Sequence, residues 1–117
     1  MQKKYIISGK TSQDFSSAML NKPQNRKQFV EPFLQSLKIE MSEFLFTSGR
    51  DTNFISIVSA DTDEQLEALC NIVIASGNFT SLSWSRGFEA EEYQRVFEVG
   101  HDKMEKYVSA SLVAGSD

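Results

Sequence analysis

The chain has little of the chemistry that marks a catalytic or metal site. Among 117 residues there is one cysteine, Cys70, and one histidine, His101. A single thiol excludes an internal disulfide framework and suits a reducing compartment, so the expected location is cytoplasmic. One His and one Cys leave only an all-oxygen metal site, and the acidic residues crowd helix starts; neither a metal nor a cofactor is expected. Long hydrophobic runs are missing as well. The longest uncharged apolar stretch, near Leu69 to Ala75, is broken by Asn71 and is far too short for a bilayer span. Met1-Gln2-Lys3-Lys4 leads straight into a strand-like segment, without the apolar run of a signal peptide. A soluble chain with no membrane partner is the expectation.

Positive charge is not in excess either. The net charge is −4, and its field would repel a polyanion, so no nucleic acid is expected as a partner. The charge is unevenly spread: residues through Val58 carry a net +3 and the remainder a net −7. Halves of opposite sign suit the docking of one subunit on another.

What is present is ordinary globular composition, with 40% hydrophobic and 24% charged residues. That is enough for one domain over 1–117 with a real core. Lys3 to Ser8 reads as a strand ended by Gly9. Thr11 to Leu20 is polar with scattered apolar residues and can hold a short helical turn. After Pro23, the residues Phe29, Val30, Phe33, Leu34 and Leu37 fall on one helical stripe. Pro32 interrupts that stripe, so the helix either kinks there or begins near Gln28 with Pro32 in its first turns.

Glu43 to Ser48 and Phe54 to Ser59 are strand-like, joined by the polar hairpin Gly49 to Asn53. Thr62-Asp63-Glu64-Gln65 is a capping box opening a helix with Leu66, Leu69, Cys70 and Val73 on one face, and Ser76-Gly77-Asn78 ends it. A fourth strand, Phe79 to Phe88, puts Leu82 and Trp84 on one face and Ser81, Ser83 and Ser85 on the other. A last helix is expected from Glu89 to about Leu112, interrupted by Gly100, and the tail Ala114-Gly115-Ser116-Asp117 is expected to fray.

This order is βαββαβ plus a helix, a ferredoxin-like antiparallel α+β sheet with both crossover helices on one face. The strands are apolar on both faces, with aromatic residues on each. An uncovered apolar face calls for a cover, and a second copy of the chain is the expected one.

From Gly49 onward the residues resemble a known family. The run comprises Gly49, Phe54-Ile55-Ser56-Ile57-Val58, Ala60-Asp61-Thr62-Asp63-Glu64, Ser76-Gly77-Asn78-Phe79-Thr80 and Ser85 through Tyr93. Upstream, Tyr5 to Thr11 looks like its opening strand. Together they resemble the GYD domain family of small bacterial and archaeal proteins, over a core of about 3–97 with a C-terminal helical extension of about 98–113. The resemblance implies a dimeric α/β barrel, in which two ferredoxin-like sheets stack face to face, and no defined activity. Where members carry Tyr-Asp, this chain has Arg50-Asp51-Thr52-Asn53.

The candidate pocket residues are Asp51, Asn53, Trp84, Arg86 and His101. The hairpin Gly49 to Asn53 concentrates polar side chains beyond the need of a turn. Trp84 and Arg86 share a strand face, and His101 is the sole imidazole, although Asp102 beside it points about 100° away on a helix. Cys70 falls on an apolar stripe and reads as an inert core thiol. The basic loop Asn21 to Lys27 reads as solvated, with anion docking as the alternative. No nucleophile–base pair or phosphate loop appears, so no catalytic residue is assigned. The leading expectation is a non-catalytic homodimeric module binding a small apolar ligand or a protein. The alternative is a cofactor-free enzyme, monooxygenase- or isomerase-like, holding an apolar substrate between sheet and helices. An RNA-binding sheet lacks the basic and aromatic strand motif it would need.

Overall fold

The computed structural model describes residues 2–115. The chain divides at Gly87/Phe88 into two units. In the first, strands β1 (Lys3–Thr11), β2 (Glu40–Phe46), β3 (Phe54–Ala60) and β4 (Phe79–Gly87) form one antiparallel sheet in the order β2-β3-β1-β4. Helices α1 (Gln13–Asn21) and α2 (Arg26–Ser36) connect β1 to β2, and α3 (Asp63–Ala75) connects β3 to β4. The ferredoxin-like order expected from the sequence is this one.

Capping sets the helix boundaries. Ser12 opens α1: its Oγ accepts from the Phe15 amide at 3.2 Å and donates to the Gly77 carbonyl at 2.7 Å, joining this helix to the end of α3. The short turn expected there is thus a nine-residue helix. Asn25 opens α2, its Oδ1 accepting from the Lys27 amide at 3.1 Å. The helix therefore begins at Arg26, before Gln28, and runs through Pro32. Proline deprives the Gln28 carbonyl of its donor, but both residues are exposed and water serves instead.

The Thr62/Gln65 box forms as expected, and the Gln65 amide also donates to the Leu37 carbonyl at 2.8 Å, tying the start of α3 to the end of α2. Gly77 sits at φ +83°, the left-handed conformation that closes a helix without a Cβ clash. Lys38 adopts the same region at φ 59° after α2, where the Ile39 amide reaches back to the Leu34 carbonyl at 2.9 Å. A lysine pays a steric cost there that glycine does not. We expect Lys38→Gly to raise the unfolding free energy by about 0.5–1 kcal/mol, read as a higher urea midpoint at unchanged slope.

The core lies between the helices and one sheet face. Tyr5, Ile7, Phe54, Val58 and Ala60 from the strands meet Leu34 of α2 and Leu66, Leu69 and Cys70 of α3. Two bulges shape this face. On β2 the register shifts between Met41 and Glu43, so that Met41 and Phe44, three residues apart, both turn inward. On β4, Thr11 pairs with Phe79 where Lys10 pairs with Ser81, so Phe79 joins Leu82 and Trp84. All the sheet aromatics (Tyr5, Phe44, Phe46, Phe54, Phe79, Trp84) consequently lie on the helix side, correcting the expectation of aromatics on both faces. The opposite face is mixed, not apolar throughout as expected: a small aliphatic block lies among Lys4, Lys10, Glu40 and Glu43 and a row of serines. Ile6 pairs with Ile57 and Leu45 with Ile55, flanked by Ser8, Ser83 and Ser85. Ile6 and Leu45 are exposed.

The β2–β3 connection spans 47–53, longer than expected, because β2 starts at Glu40 and ends at Phe46. Gly49 is required there: a Cβ would collide with the Thr52 carbonyl oxygen.

The second unit holds α4 (Ala90–Lys103), one 3₁₀ turn over Met104–Lys106 and the short α5 (Ala110–Ala114). The single helix expected to about Leu112 is therefore broken. Tyr107 turns extended, and Ser109 caps a new helix by accepting from the Leu112 amide at 3.0 Å. Gly100 lies within α4 and does not interrupt it. The fraying expected for the tail falls partly on Ser116 and Asp117, outside the described residues. Among the described residues no helix is long and apolar enough to cross a membrane.

Candidate functional site

The inward residues of the sheet do not fill the space beneath the helices. A cavity of about 270 Å³ remains. Its strand side is formed by Ile7, Phe54, Ser56, Val58 and Leu82, and its helix side by Val30, Phe33 and Leu34 of α2 with Leu69, Ile72 and Val73 of α3. Seven of the nine phenylalanines line it: Phe15, Phe29, Phe33, Phe44, Phe46, Phe54 and Phe79. Phe54 lies edge-on or tilted to Phe44, Phe46 and Phe79, with centroids 5.1, 5.3 and 5.4 Å away, and Phe15 stacks on Phe46 at 5.6 Å. Both bulges feed this wall, since Phe44, Met41 and Phe79 reach the cavity through them.

Polar lining is sparse: Arg26, Ser56, Ser76 and Asn78. Ser56 donates to the Glu43 carbonyl and Ser76 to the Val73 carbonyl, each at 2.6 Å, so neither hydroxyl proton is available. Arg26, the first residue of α2, is half-buried. Its Nη1 donates to Gln24 Oε1 at 2.7 Å and its guanidinium carbon stands 5.9 Å from the Phe29 ring centroid. Both partners are neutral.

None of the five side chains singled out from the sequence lines this cavity. They fall in three places. Asp51 is exposed in the 47–53 connection. Asn53 is a clamp: its Oδ1 accepts from the Thr11 amide and its Nδ2 donates to Thr11 Oγ1, both at 2.9 Å, while its own amide donates to the Gly9 carbonyl at 2.9 Å. Removing that side chain strands the buried Thr11 amide. Asn53→Ala should therefore cost about 1–3 kcal/mol in chemical unfolding, whereas Asp51→Ala should change it by less than about 0.5.

Trp84 and Arg86 belong to a cluster around Tyr5. Trp84 meets the Tyr5 ring edge-on at 5.5 Å and donates to Glu67 Oε1 at 2.9 Å. The Arg86 guanidinium stands 6.0 Å from the same ring, and Tyr5 donates to Asp63 Oδ1 at 2.6 Å. Burial pushes the Tyr5 phenol up to about 12; the accepting Asp63 carboxylate pushes the same way and Arg86 pulls it back. Cys70 behaves likewise, its thiol raised to about 11 first by burial and then by the Glu67 carboxylate, so it is a poor nucleophile near neutrality. His101 lies exposed on α4 in the second unit. No group of three or more His, Cys, Asp or Glu side chains is placed to hold a metal ion among the described residues.

The sequence signal for the cavity was present but weak. Phe29 and Phe33 read as core, and Arg26 read as part of a solvated basic loop. A void is what packing leaves over, and no residue spacing encodes it directly. Comparison with family models, with curated proteins and with solved structures finds no match to this chain.

Proposed function

We propose that this chain is a homodimeric, GYD-like module that binds a small apolar ligand in the cavity between its helices and its sheet. The observation that carries this reading is the cavity itself, an apolar space open to solvent on one side and with few polar groups, which is the usual form of a small-molecule site. Binding is favoured over acid–base catalysis by the lining. Among the described residues Arg26 is its only ionisable side chain, and arginine stays protonated throughout the working range, so none of them exchanges a proton there. A second copy is supported by the aliphatic block of Ile6, Leu45, Ile55 and Ile57 on the other sheet face, which a partner's equivalent block would keep from water at roughly 25 cal/mol per Å².

Calorimetric titration with naphthalene tests the ligand reading. Saturable binding of one molecule per chain is expected, and Val73→Trp, which fills the cavity, should abolish it while circular dichroism is unchanged. Absence of saturable binding to the folded wild-type chain would refute it. Light scattering tests the pairing: two chains are expected for the wild type and one for Ile57→Lys, and a wild-type mass of one chain overturns it.

A further inference from the structure

We infer that the cavity selects flat aromatic molecules of one or two rings that carry a single acidic group, which Arg26 holds at the mouth. This rests on the ligand-binding reading above and narrows it to one chemical class.

Size comes first. An apolar protein cavity of about 150 Å³ takes a benzene molecule, so a cavity of about 270 Å³ suits two fused rings better than four. Shape comes next. The wall presents ring faces and ring edges, with Phe54 set among three neighbours and Phe15 stacked beside them. An aromatic guest pairs with both kinds of surface, whereas an alkyl chain gains only buried area and loses more internal freedom on entry.

Charge decides the remaining question. Phe29 and Ile72 line the cavity yet are 62% and 51% exposed, so the space opens to solvent between α2 and α3 beside them. Arg26 stands at Phe29, half-buried, with only the neutral Gln24 side chain and the Phe29 ring as partners among the described residues. Its charge is therefore unmatched at the point where a guest would enter. Topology adds weight: α2 must end where β2 begins and α3 ends where β4 begins, so Arg26, Ser76 and Asn78 all belong toward the Thr11 end of the sheet. The Asn78 side chain makes no hydrogen bond among the described residues and supplies a second polar contact at that end. Deeper in, phenylalanine and aliphatic side chains offer a charge no partner, so a ligand with a second acidic group at its far end is excluded.

Three probes separate these statements: naphthalene carboxylate, naphthalene and decanoate, each titrated calorimetrically into the whole chain. The carboxylate should bind the wild type at least about tenfold more tightly than naphthalene, a difference of roughly 1.4 kcal/mol, and more tightly than decanoate. Arg26→Gln should erase the advantage over naphthalene. Arg26→Lys, which keeps the charge, should restore most of it. Circular dichroism and the unfolding midpoint confirm that both variants fold, as expected for a residue in the first turn of a helix. Equal affinity for the carboxylate and naphthalene, tighter binding of decanoate, or an unchanged preference in Arg26→Gln overturns the inference. In each of those cases naphthalene still binds, and the ligand-binding reading stands. If naphthalene does not bind the folded wild-type chain, both fail together.

Discussion

Leu66→Ala should destabilise the chain by about 3–5 kcal/mol, while Leu69→Ala, one turn later on the same helix, should cost only about 2–3. Both leucines are buried on α3, at 0% and 4% exposure, and both belong to the core. Burial alone would make them equal. The difference lies in their surroundings, because Leu69 borders the cavity and Leu66 does not. A side chain facing a void lacks partner atoms on that side and has less dispersion energy to lose when truncated. Denaturant unfolding of the two variants, read at a common slope, measures the gap. Equal losses would mean that the space beside Leu69 closes in solution. A bound aromatic guest should shift the comparison, since enlarging the cavity at Leu69 alters affinity directly whereas Leu66 is remote from it.

The second large effect concerns alkaline pH. Tyr5 is fully buried, its hydroxyl donates to Asp63, and its phenol is raised from 10 to about 12, first by burial and then by that carboxylate. The folded chain thus holds this proton more tightly than the unfolded chain does. The corresponding stability is fully present below pH 10 and is lost as pH rises through about 12. Urea midpoints should fall across that window. Tyr5→Phe should remove this part of the decline, leaving a flatter profile from pH 10 to 12. At neutral pH the same variant should cost about 1 kcal/mol, because the exposed Asp63 carboxylate regains water when its donor is removed. Absorbance of the phenolate, compared between wild type and variant, gives an independent reading of the same proton.

Much of the framework is legible in the residues themselves. The capping box at Thr62, the left-handed stop at Gly77 and the alternation of β3 are local signals, and local physics is enough to set α3 and the order of the strands around it. The failures arise where distant contacts override local pattern. Pro32 marks either a kink or a helix that begins near Gln28, yet the cap at Asn25 starts the helix at Arg26 and it runs through Pro32, leaving the Gln28 carbonyl to water. Phe79 shares odd parity with the serines of β4, and only its pairing with Thr11 reveals that it turns inward. The last helix is expected to be interrupted at Gly100, yet it runs through that residue and ends instead where the backbone turns extended at Tyr107. The candidate site was the least legible part. Asn53 and Trp84 stood out as polar or aromatic residues in unusual settings, and the structure gives them partners in Thr11 and in Tyr5 and Glu67. Arg26 and the phenylalanines belong together only once α1, α2 and the sheet have folded around them.

The bulges on the two outer strands carry an evolutionary consequence. Each inserts a single residue, Ser42 or Thr80, that has no place in the ladder: with it removed, Glu43 still meets Ile57 and Phe79 still meets Thr11, so the facing of every aromatic side chain is unchanged. Forcing the extra residue into register does the opposite, because a slip of one position carries all that lies beyond it to the other side of the sheet. A lineage that keeps the guest is thus expected to vary here by losing the spare residue, and one that shed the guest is free to absorb it into a regular strand.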